Sequence, residues 1–542
     1  MITMTSNTFT VKGARVIDGS GDDGFRGDVV VEHGRIQKVS RSFIKDPVGQ
    51  VIDGDNLVLS PGFIDMHSHS DLAVLADKVH LSKVTQGVTL EVVGQDGLSY
   101  VPSNDQVQAE LRAQLYGWNG TLNDHDWNFN SVDQYLSEVD KGSAVNIAFL
   151  MPHGTVRMLV RGMSEGVSSP DDVKLMQEVI RNGMKEGAFG MSAGLTYVPA
   201  MYSDTNELIE LCKAVSEFGG YFAPHHRSYG AKIFEAIAEC VEISKVSKAP
   251  LHLTHCHLSA PMYHGRAEEL LAALDIASRQ GIDISLDTYP YLAGSSYLHM
   301  LLPSWVQAGG IEQLRIRLRE SEVQKKVIDA LDHSGSDGNQ GGIVNWDNIV
   351  LAGVEKPENK KFIGITISQL AISQKKLASQ FYLDLILSED FKASIVVFGG
   401  NEENVRTIMK DSRHMVGSDG ILHGDRPHPR AYGTFARFLG HYSRDEKMFP
   451  LEGAVHRMTG RPAKRLGLHD RGLIKAGYKA DLVLFDHEKV ADRSTFESPR
   501  LPASGFEFVW ISGIPTLEKG ERTDFIPGKG IRKTALINPG GK

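Results

Sequence analysis

Hydrophobic patterning divides the chain into three parts. Near both ends, apolar and polar positions alternate every second residue in short runs such as TFTVKGARV and ADLVLF, separated by Gly and Asp. This alternation is typical of antiparallel strands and hairpins. Neither end could bury a sheet face alone, so we predict that residues 1–60 and 471–542 pair into one small β-sandwich domain.

The middle of the chain, residues 61–470, alternates short apolar runs with amphipathic segments. Runs such as VTLEVVG, GYFAPHH, DISLDTYPY and ASIVVFGG predict buried strands, and SPDDVKLMQEVIRNGMKEG predicts a capped helix. Strands that alternate with helices in this way predict an α/β fold, here a (β/α)₈ TIM barrel. Residues 304–361 interrupt the rhythm with charged segments and the Gly-rich run HSGSDGNQGG, which predicts a small insertion late in the barrel.

Composition excludes several classes of protein. The 542 residues carry a formal net charge of -9 without a basic stripe, which argues against a nucleic-acid partner. No run approaches the roughly 20 apolar residues of a membrane span, so no membrane partner is expected. The N-terminus lacks a secretory signal, and three scattered cysteines, Cys212, Cys240 and Cys256, do not form a disulfide framework. We therefore expect a cytoplasmic protein with a small-molecule partner.

The stretch SPGFIDMHSHSD holds the first candidate chemistry. Residues i and i+2 of a strand point to the same face, so His67 and His69 can reach one ion. They end a predicted barrel strand, which places them at the catalytic face of such a fold. The alternative is a pair of hydrogen-bonded core histidines, and the pair alone does not decide between the two.

Three further strand ends favour a metal site. FAPHHRS offers His225 or His226, LHLTHCHL offers three histidines of which one is His255, and MVGSDG ends in Asp419. Imidazoles and a carboxylate suit Zn²⁺ or a similar first-row ion, which lowers the pKa of a bound water towards ~7. A carboxylate beside that water can move its proton, so Asp419 is the candidate catalytic acid and base.

Long motifs in this chain resemble the amidohydrolase superfamily and, within it, the N-acyl-D-amino-acid deacylase (D-aminoacylase) family. The resemblance extends over nearly the whole chain and includes SPGFIDMHSHSD, EGAFGMSAGLTYVP, DTYPYLAGSS, GSDGILHGDRPHPRAYGTF and GYKADLVLFD. It implies hydrolysis of a linear amide next to a free carboxylate by metal-bound hydroxide, with Asp419 as general acid and base. The metal ligands that it implies are His67, His69, His225, His255 and Asp419.

One departure from the family concerns the metal. The family typically has a ligating cysteine after the second strand, whereas this chain reads VVGQDGLSYVP and has Asp96 there. A carboxylate can ligate or bridge ions, so we expect Asp96 to be a ligand of one or two Zn²⁺ ions, with Mn²⁺ or Fe²⁺ as alternatives. The competing interpretation is a plain turn residue beside Gly97.

The resemblance also implies substrate-binding residues. Arg430, Tyr289 and Ser295 correspond to the family residues that hold the substrate carboxylate, and His257 stands where many members have a lysine. Arginine suits this role because its planar guanidinium binds a carboxylate bidentately.

Side chains beside these candidates are expected to have structural roles. We expect His226 to be packed near the site, His252 to face the other side of its strand, and Cys256 to point away from the metal. The aromatic residues of the loop after the second strand either wall the acyl pocket or pack on the barrel; they are Trp118, Trp127 and Phe129.

The sequence therefore predicts deacylation of an N-acyl-D-amino acid, with three alternatives. A dipeptidase for L-X-D-Y substrates would use the same apparatus with an acidic side chain in the acyl pocket. A cyclic-amide hydrolase of the hydantoinase type is disfavoured because the fourth strand, GAFGMSAGL, lacks the lysine that such enzymes carboxylate. A non-catalytic scaffold would have lost its ligands. The sequence leaves a homo-oligomer open.

Overall fold

The computed structural model describes residues 7–123 and 126–534, so the outermost residues of both predicted terminal segments lie outside the described part. Its strands, in chain order, are β1 (Phe9–Val16), β2 (Phe25–Glu32), β3 (Arg35–Ser40), β4 (Gln50–Asp53), β5 (Val58–Pro61), β6 (Phe63–Asp65), β7 (Val88–Val93), β8 (Asn146–Phe149), β9 (Met151–Pro152), β10 (Gly190–Gly194), β11 (Tyr221–His225), β12 (Leu251–Leu253), β13 (Ile284–Thr288), β14 (Ala293–Tyr297), β15 (Ile349–Gly353), β16 (Ser394–Phe398), β17 (His414–Val416), β18 (Leu482–Phe485), β19 (Phe506–Ile511), β20 (Ile514–Glu518) and β21 (Glu521–Arg522).

The α-helices of the described residues connect these strands. They are α1 (Ala73–Ala76), α2 (Leu81–Val84), α3 (Asp105–Gln114), α4 (Tyr116–Asn119), α5 (Val132–Asp140), α6 (His153–Arg161), α7 (Pro170–Lys185), α8 (Thr205–Ser216), α9 (Ile233–Ser247), α10 (Ala267–Arg279), α11 (Ser304–Gln307), α12 (Ile311–Arg317), α13 (Ser321–Asp329), α14 (Ile367–Ser373), α15 (Ala378–Ser388), α16 (Glu402–Lys410), α17 (Arg430–Arg437), α18 (Leu451–Met458) and α19 (Gly460–Leu466). Helix α7 shows the local logic: Ser169 and Asp172 form a capping box around Pro170 at its start.

Strands from both ends of the chain form one nine-stranded sheet. Its order is β21-β20-β19-β18-β5-β1-β2-β3, with β4 beside β1. The two chain ends meet where β5 pairs antiparallel with β18, which places Leu59 opposite Leu484. Both side chains are buried, and Trp510 of β19 stacks on Phe9 of β1 with ring centroids 4.8 Å apart. The exact limits of the terminal domain stay a prediction.

Nine of the twelve described strands of the middle segment, all but β14, β15 and β16, form two parallel sheets. One has the order β6-β7-β8 and the other β9-β10-β11-β12-β13-β17. The sheets adjoin at two seams: Leu150, between β8 and β9, donates its backbone N–H to Val93, and Met66, after β6, donates to Val416 of β17. Nearly every residue of these strands is buried, which explains their continuous apolar runs. The fold is therefore mixed α/β with parallel sheets.

The predicted barrel strand ASIVVFGG has a different partner. Its core, β16, pairs antiparallel with β14 and β15 in a separate three-stranded sheet. This sheet and helices α11 to α15 surround their own hydrophobic core, which runs from Leu298 to Ile395. The prediction of a strand was correct but its assignment to the parallel set was wrong, because an apolar run carries no information about which sheet receives it.

No helix in the described ranges is long and apolar enough to cross a membrane.

We predict that the terminal sheet depends on the contact between the two chain ends. Replacing buried Trp510 by alanine removes its stacking on Phe9 and Phe508 and leaves a cavity. The free energy of unfolding should fall by about 3–5 kcal/mol, measured by chemical denaturation followed by circular dichroism. The exposed Ile372→Ala change is the control and should stay within about 0.5 kcal/mol of the parent. Equal stability of the two variants would contradict the prediction.

Candidate active site

The first group of candidate ligands lies where β6 and β17 end. His67 and His69 follow β6 and point the same way, with their Nε2 atoms 3.4 Å apart. Asp419 follows β17, and its backbone N–H donates to the carbonyl of His67. As a result Oδ1 of Asp419 lies 3.1 Å from Nε2 of His69 and 3.7 Å from Nε2 of His67.

The second group lies where β11 and β12 end. His225 is the last residue of β11, and His255 comes two residues after β12. Nδ1 of His225 is 3.2 Å from Nε2 of His255. Two ring nitrogens from neighbouring strands therefore face one another at the same end of the sheet.

Asp96 stands between the two groups. Its Oδ1 lies 3.2 Å from Nε2 of His255 and 3.6 Å from Nε2 of His67. Its Oδ2 lies 3.5 Å from Nε2 of His69 and 3.5 Å from Nδ1 of His225. Each carboxylate oxygen thus faces one imidazole of each group, so a single side chain is shared by both.

Nitrogen and oxygen donors in this arrangement fit a divalent metal ion. Two sets of ligand atoms lie close enough to hold an ion: His67, His69, Asp96 and Asp419, and Asp96, His225 and His255. All six side chains are at most 8% exposed. Imidazole nitrogens and carboxylate oxygens that lie this close to one another in the protein interior are the ligand atoms that zinc sites use.

Three of the six candidate ligands have left-handed backbone conformations. The φ angles are 53° at Asp96, 29° at His255 and 48° at Asp419. Such angles are uncommon outside glycine, although Asp and His adopt them more often than most residues, and they concentrate at functional sites. Gly97 follows Asp96 with φ 69°, and a Cβ on it would lie 2.5 Å from the backbone nitrogen of Gly194. The turn that presents Asp96 therefore requires glycine at the next position.

The charges within the cluster favour a cation. Burial lowers the pKa of His67 to about 4, so this ring is neutral. Burial also opposes charge on Asp419, but Arg430 and His69 hold the pKa of that carboxyl well below its usual range. The imidazoles around Asp96 lower its pKa in the same way. At His69, hydrogen bonds with the two carboxylates outweigh burial and raise the pKa to about 9. A bound metal ion would displace the proton that this imidazole carries.

Hydroxyl groups orient the second pair of imidazoles. Oγ1 of Thr196 lies 2.7 Å from Nε2 of His225, and the hydroxyl of Tyr229 lies 2.8 Å from Nδ1 of His255. Each contact leaves the other ring nitrogen facing Asp96, which is how outer partners fix the ring orientation of metal-binding histidines. No motif or spacing pointed to Thr196 or Tyr229, because both lie in loops that follow their strands.

The remaining histidines of these tracts are engaged elsewhere. Nδ1 of His226 contacts the carbonyl of Ser228, and its ring stacks on Tyr229 at 3.8 Å. His252 lies between Oγ of Ser285 and Oδ2 of Asp287, at 2.7 and 2.9 Å. Neither histidine belongs to a set of candidate ligands.

A cavity of about 630 Å³ opens above the candidate ligands, and all four residues predicted to bind substrate line it. The guanidinium of Arg430 lies 4.4 Å from the ring centroid of Tyr289, and its Nη1 is 2.8 Å from Oδ2 of Asp419. Nε and Nη1 of Arg430 and Nε2 of His257 are buried without an aligned hydrogen bond. The hydroxyl of Ser295 donates to the carbonyl of Ile395. Among these polar atoms, Nε of Arg430 and Nε2 of His257 are therefore left without a partner in the described part of the chain.

The tryptophans of the loop after β7 separate into two roles. Trp118 lines the cavity, 4.7 Å from His69 between ring centroids, and donates its indole N–H to Ser296. Trp127 packs instead against Tyr100 and Phe129, away from the cavity. Trp118 thus fits the interpretation of a pocket wall, and Trp127 fits the interpretation of a packed side chain.

Comparison with known proteins places the chain in a family. The model of the amidohydrolase family matches residues 50–337 and 382–516. This chain belongs to the amidohydrolase family. It is 33% identical to a D-aminoacylase from Alcaligenes xylosoxydans xylosoxydans over 96% of this chain and 97% of that protein. An N-acyl-D-aspartate deacylase of the same organism is 30% identical over 95% and 93% of the two chains.

Two solved structures resemble this amidohydrolase over nearly the whole chain. A D-aminoacylase described as having a binuclear metal centre matches 97% of this chain and 99% of its own, with a TM-score of 0.80 and 31% identity. An N-acyl-D-glutamate deacylase from Bordetella bronchiseptica, in complex with zinc and a phosphonate inhibitor, matches 96% and 99% with a TM-score of 0.81 and 26% identity.

We predict that Asp96 is needed to hold the full complement of metal. Asp96→Ala removes the one carboxylate that faces both groups, so the protein should bind fewer zinc ions or bind them at least about 10-fold more weakly. Asp96→Cys keeps a ligand atom and should retain zinc while losing affinity for Mn²⁺, which prefers oxygen. Elemental analysis and chelator competition on the parent and both variants measure this. Unchanged metal content in Asp96→Ala would make Asp96 a turn residue only.

Proposed function

We propose that this amidohydrolase cleaves a linear amide next to a free carboxylate, and that its substrates are N-acyl-D-amino acids. One observation carries the proposal: the guanidinium of Arg430 and the imidazole of His257 line the same cavity as the shared carboxylate Asp96. The site thus combines a place for metal with a place for an anion. The similar proteins are D-aminoacylase and N-acyl-D-aspartate and N-acyl-D-glutamate deacylases, and the D configuration rests on them.

The two parallel sheets support an eight-stranded barrel. We infer that β6, β7, β8 with β9, β10, β11, β12, β13 and β17 form one closed ring. The backbone hydrogen bonds at Leu150 and Met66 favour closure, as does the parallel bridge between Ser68 and Gly420. In such a barrel all candidate ligands lie at the carboxyl ends of strands, where catalytic groups are found.

Zn²⁺ is the ion that we assign to the site, in one or two copies, with Mn²⁺ or Fe²⁺ as alternatives. His67, His69, Asp96 and Asp419 would hold one ion and Asp96, His225 and His255 a second. A bound divalent ion supplies hydroxide at neutral pH and polarises the amide carbonyl. The carboxylate at position 96 is a harder donor than thiolate, which favours a wider choice of metal.

Arg430 and Tyr289 would orient the substrate. The guanidinium, which pairs with Asp419 through Nη1, can also donate hydrogen bonds to a substrate carboxylate, and Tyr289 supports its flat face. His257 adds a neutral donor, because burial and the neighbouring charges of His255 and Arg430 lower its pKa to about 3. The carboxylate would thereby place the scissile amide next to the ligands.

Asp419 would carry the proton. Its Oδ1 faces the imidazoles and its Oδ2 faces Arg430, so it lies between the candidate metal site and the carboxylate subsite. From there the carboxylate can accept a proton from the attacking water and deliver it to the departing amine. The same guanidinium that binds the substrate thus keeps this base in position.

The cavity disfavours the rival substrates. Among the described lining residues the only acidic side chains are Asp96 and Asp419, so nothing there is placed to meet the ammonium of a dipeptide. Away from the ligands the lining is mixed, with the apolar Met262, Ile343 and Phe398 beside polar side chains that include Lys232 and Gln340. Strand β10 reads GMSAG without lysine, which argues against a cyclic-amide hydrolase. A linear substrate without an ammonium group therefore fits best.

The proposed activity is tested by hydrolysis with zinc-loaded protein. N-acetyl-D-leucine should be cleaved, its L enantiomer and hydantoin should not, and L-leucyl-D-leucine should be a poorer substrate than the N-acetyl compound. Asp419→Asn is the matched control and should lose at least about 100-fold in rate, since proton transfer contributes about 10²–10⁴-fold. Preference for the dipeptide would favour the dipeptidase, and no amide hydrolysis by zinc-loaded protein would refute the proposal.

The carboxylate-binding role of Arg430 is tested with a substrate pair. Replacing the carboxylate of N-acetyl-D-leucine by a carboxamide removes a charged hydrogen-bond partner, so kcat/KM of the parent should fall about 10–150-fold. In Arg430→Met the two substrates should differ by less than about 3-fold, because the partner is gone. This ratio separates carboxylate binding from indirect effects through Asp419. An undiminished ratio in the variant would assign the role elsewhere.

A further inference from the structure

A charged network without solvent contact lies on the opposite side of the ligand-bearing segments from the cavity. Its members are Asp65, Lys83 and Glu91, each at 0% exposure. Lys83 belongs to the short helix α2, and its Nζ lies 2.6 Å from Oδ2 of Asp65 and 3.1 Å from Oε1 of Glu91. None of the three lines the cavity, and the proposed reaction uses none of them.

The ammonium of Lys83 also contacts both segments that carry the first group of ligands. Nζ donates to Oγ of Ser418 at 2.8 Å and to Oγ of Ser68 at 3.2 Å. Ser418 immediately precedes Asp419, and Ser68 separates His67 from His69. One ammonium therefore touches the residue next to every ligand of this group other than Asp96.

Strand geometry explains this arrangement. Successive side chains of an extended segment point to opposite faces, so when His67 and His69 face the cavity, Ser68 and Ser70 face away from it. Both serines donate to Oε1 of Glu91, at 2.6 and 2.8 Å. The motif HSHS thus carries ligands on one face and anchors on the other.

The strand that carries Asp419 is anchored in the same way. Oγ of Ser418 contacts the carbonyl of His67, and the backbone N–H of Ser418 donates to Oδ1 of Asp65. The same carboxylate oxygen accepts the backbone N–H of His67 at 3.2 Å. Asp65 and Lys83 therefore fix the two segments to each other as well as to the network.

The network is costly to bury, and burial raises the pKa of Asp65 although Lys83 opposes this shift. Burial opposes ionisation of Glu91, but Lys83 and His80 lower the pKa of that carboxyl far below its usual range. Burial likewise opposes charge on Lys83, and Asp65 and Glu91 raise its pKa. Buried ion pairs contribute little net stability compared with apolar residues of the same size, so their value often lies in the geometry they impose.

We propose that Lys83 is a positioning residue for the metal centre: its ammonium sets the spacing between the His67–His69 segment and Asp419. This inference rests on the ligand assignment of the proposed function. It goes beyond that assignment because the affinity of the first group of ligands for a metal ion would depend on Lys83. This residue of helix α2 contacts the serines beside the ligands and not the ligand side chains.

The mildest test removes one hydroxyl and keeps every charge. Ser418→Ala deletes the contact with Lys83 together with the bonds of the same hydroxyl to the His67 carbonyl and the Gly420 N–H. Ser68→Ala deletes the contact with Lys83 together with the bond to Glu91. Ser244→Ala is the matched control, since its buried hydroxyl makes a single hydrogen bond to the carbonyl of Ala249 in another part of the chain. Zinc affinity by chelator competition and the visible spectrum of Co²⁺-loaded protein are measured beside the thermal midpoint.

We expect Ser418→Ala and Ser68→Ala to bind zinc about 10–100-fold more weakly than the parent and to change the Co²⁺ spectrum, as loss of outer support for ligands does. Ser244→Ala should lower the thermal midpoint to a similar degree and leave metal binding unchanged. Parent-like zinc affinity and spectra in both serine variants would overturn the positioning role. If the parent itself bound no zinc, the ligand assignment would fail instead, so the two failures are distinguishable.

Discussion

The Asp96 carboxylate between four imidazoles is the contact on which the rest of the site depends. Its two oxygens face His67, His69, His225 and His255 at 3.2–3.6 Å, in a place that is 3% exposed. Lone pairs and partial charges so close together in the interior are unfavourable unless protons or cations lie among them. The left-handed turn at Asp96 and the crowded glycine after it hold this arrangement in place.

The candidate ligands lie close together because the carboxyl ends of parallel strands meet at one edge of a sheet. Strands β6, β11, β12 and β17 each contribute a ligand-type side chain at or just past their last residue, and the loop after β7 contributes Asp96. Their opposite faces are used as well: the Lys83 network lies behind β6, β7 and β17. The site is therefore built from both sides of the same segments, with the candidate ligands on the cavity side and the buried Lys83 network behind them.

The structure brings together the six side chains that the sequence singled out as candidate ligands, whereas the sequence did not single out their supports. Alternation along HSHSD and the end of the strand before Asp419 pointed to His67, His69 and Asp419. The family motifs pointed to His225 and His255, and the position of the family cysteine pointed to Asp96. Thr196 and Tyr229 could not be foreseen, because loop conformation alone decides which hydroxyl reaches a ring nitrogen. No sequence pattern singled out Lys83, since burial is a tertiary property. Strand β16 was misassigned for a related reason: its apolar run predicts burial but not a partner.

Sharing of Asp96 between two groups of metal ligands can be observed in a single experiment. Anomalous X-ray scattering is recorded at the zinc edge from crystals of zinc-loaded protein. We predict anomalous density adjacent to the Asp96 carboxylate and to imidazoles of both groups, or of one group at limiting zinc. Zinc bound elsewhere in the molecule, or next to the imidazoles with Asp96 turned away, would contradict this sharing.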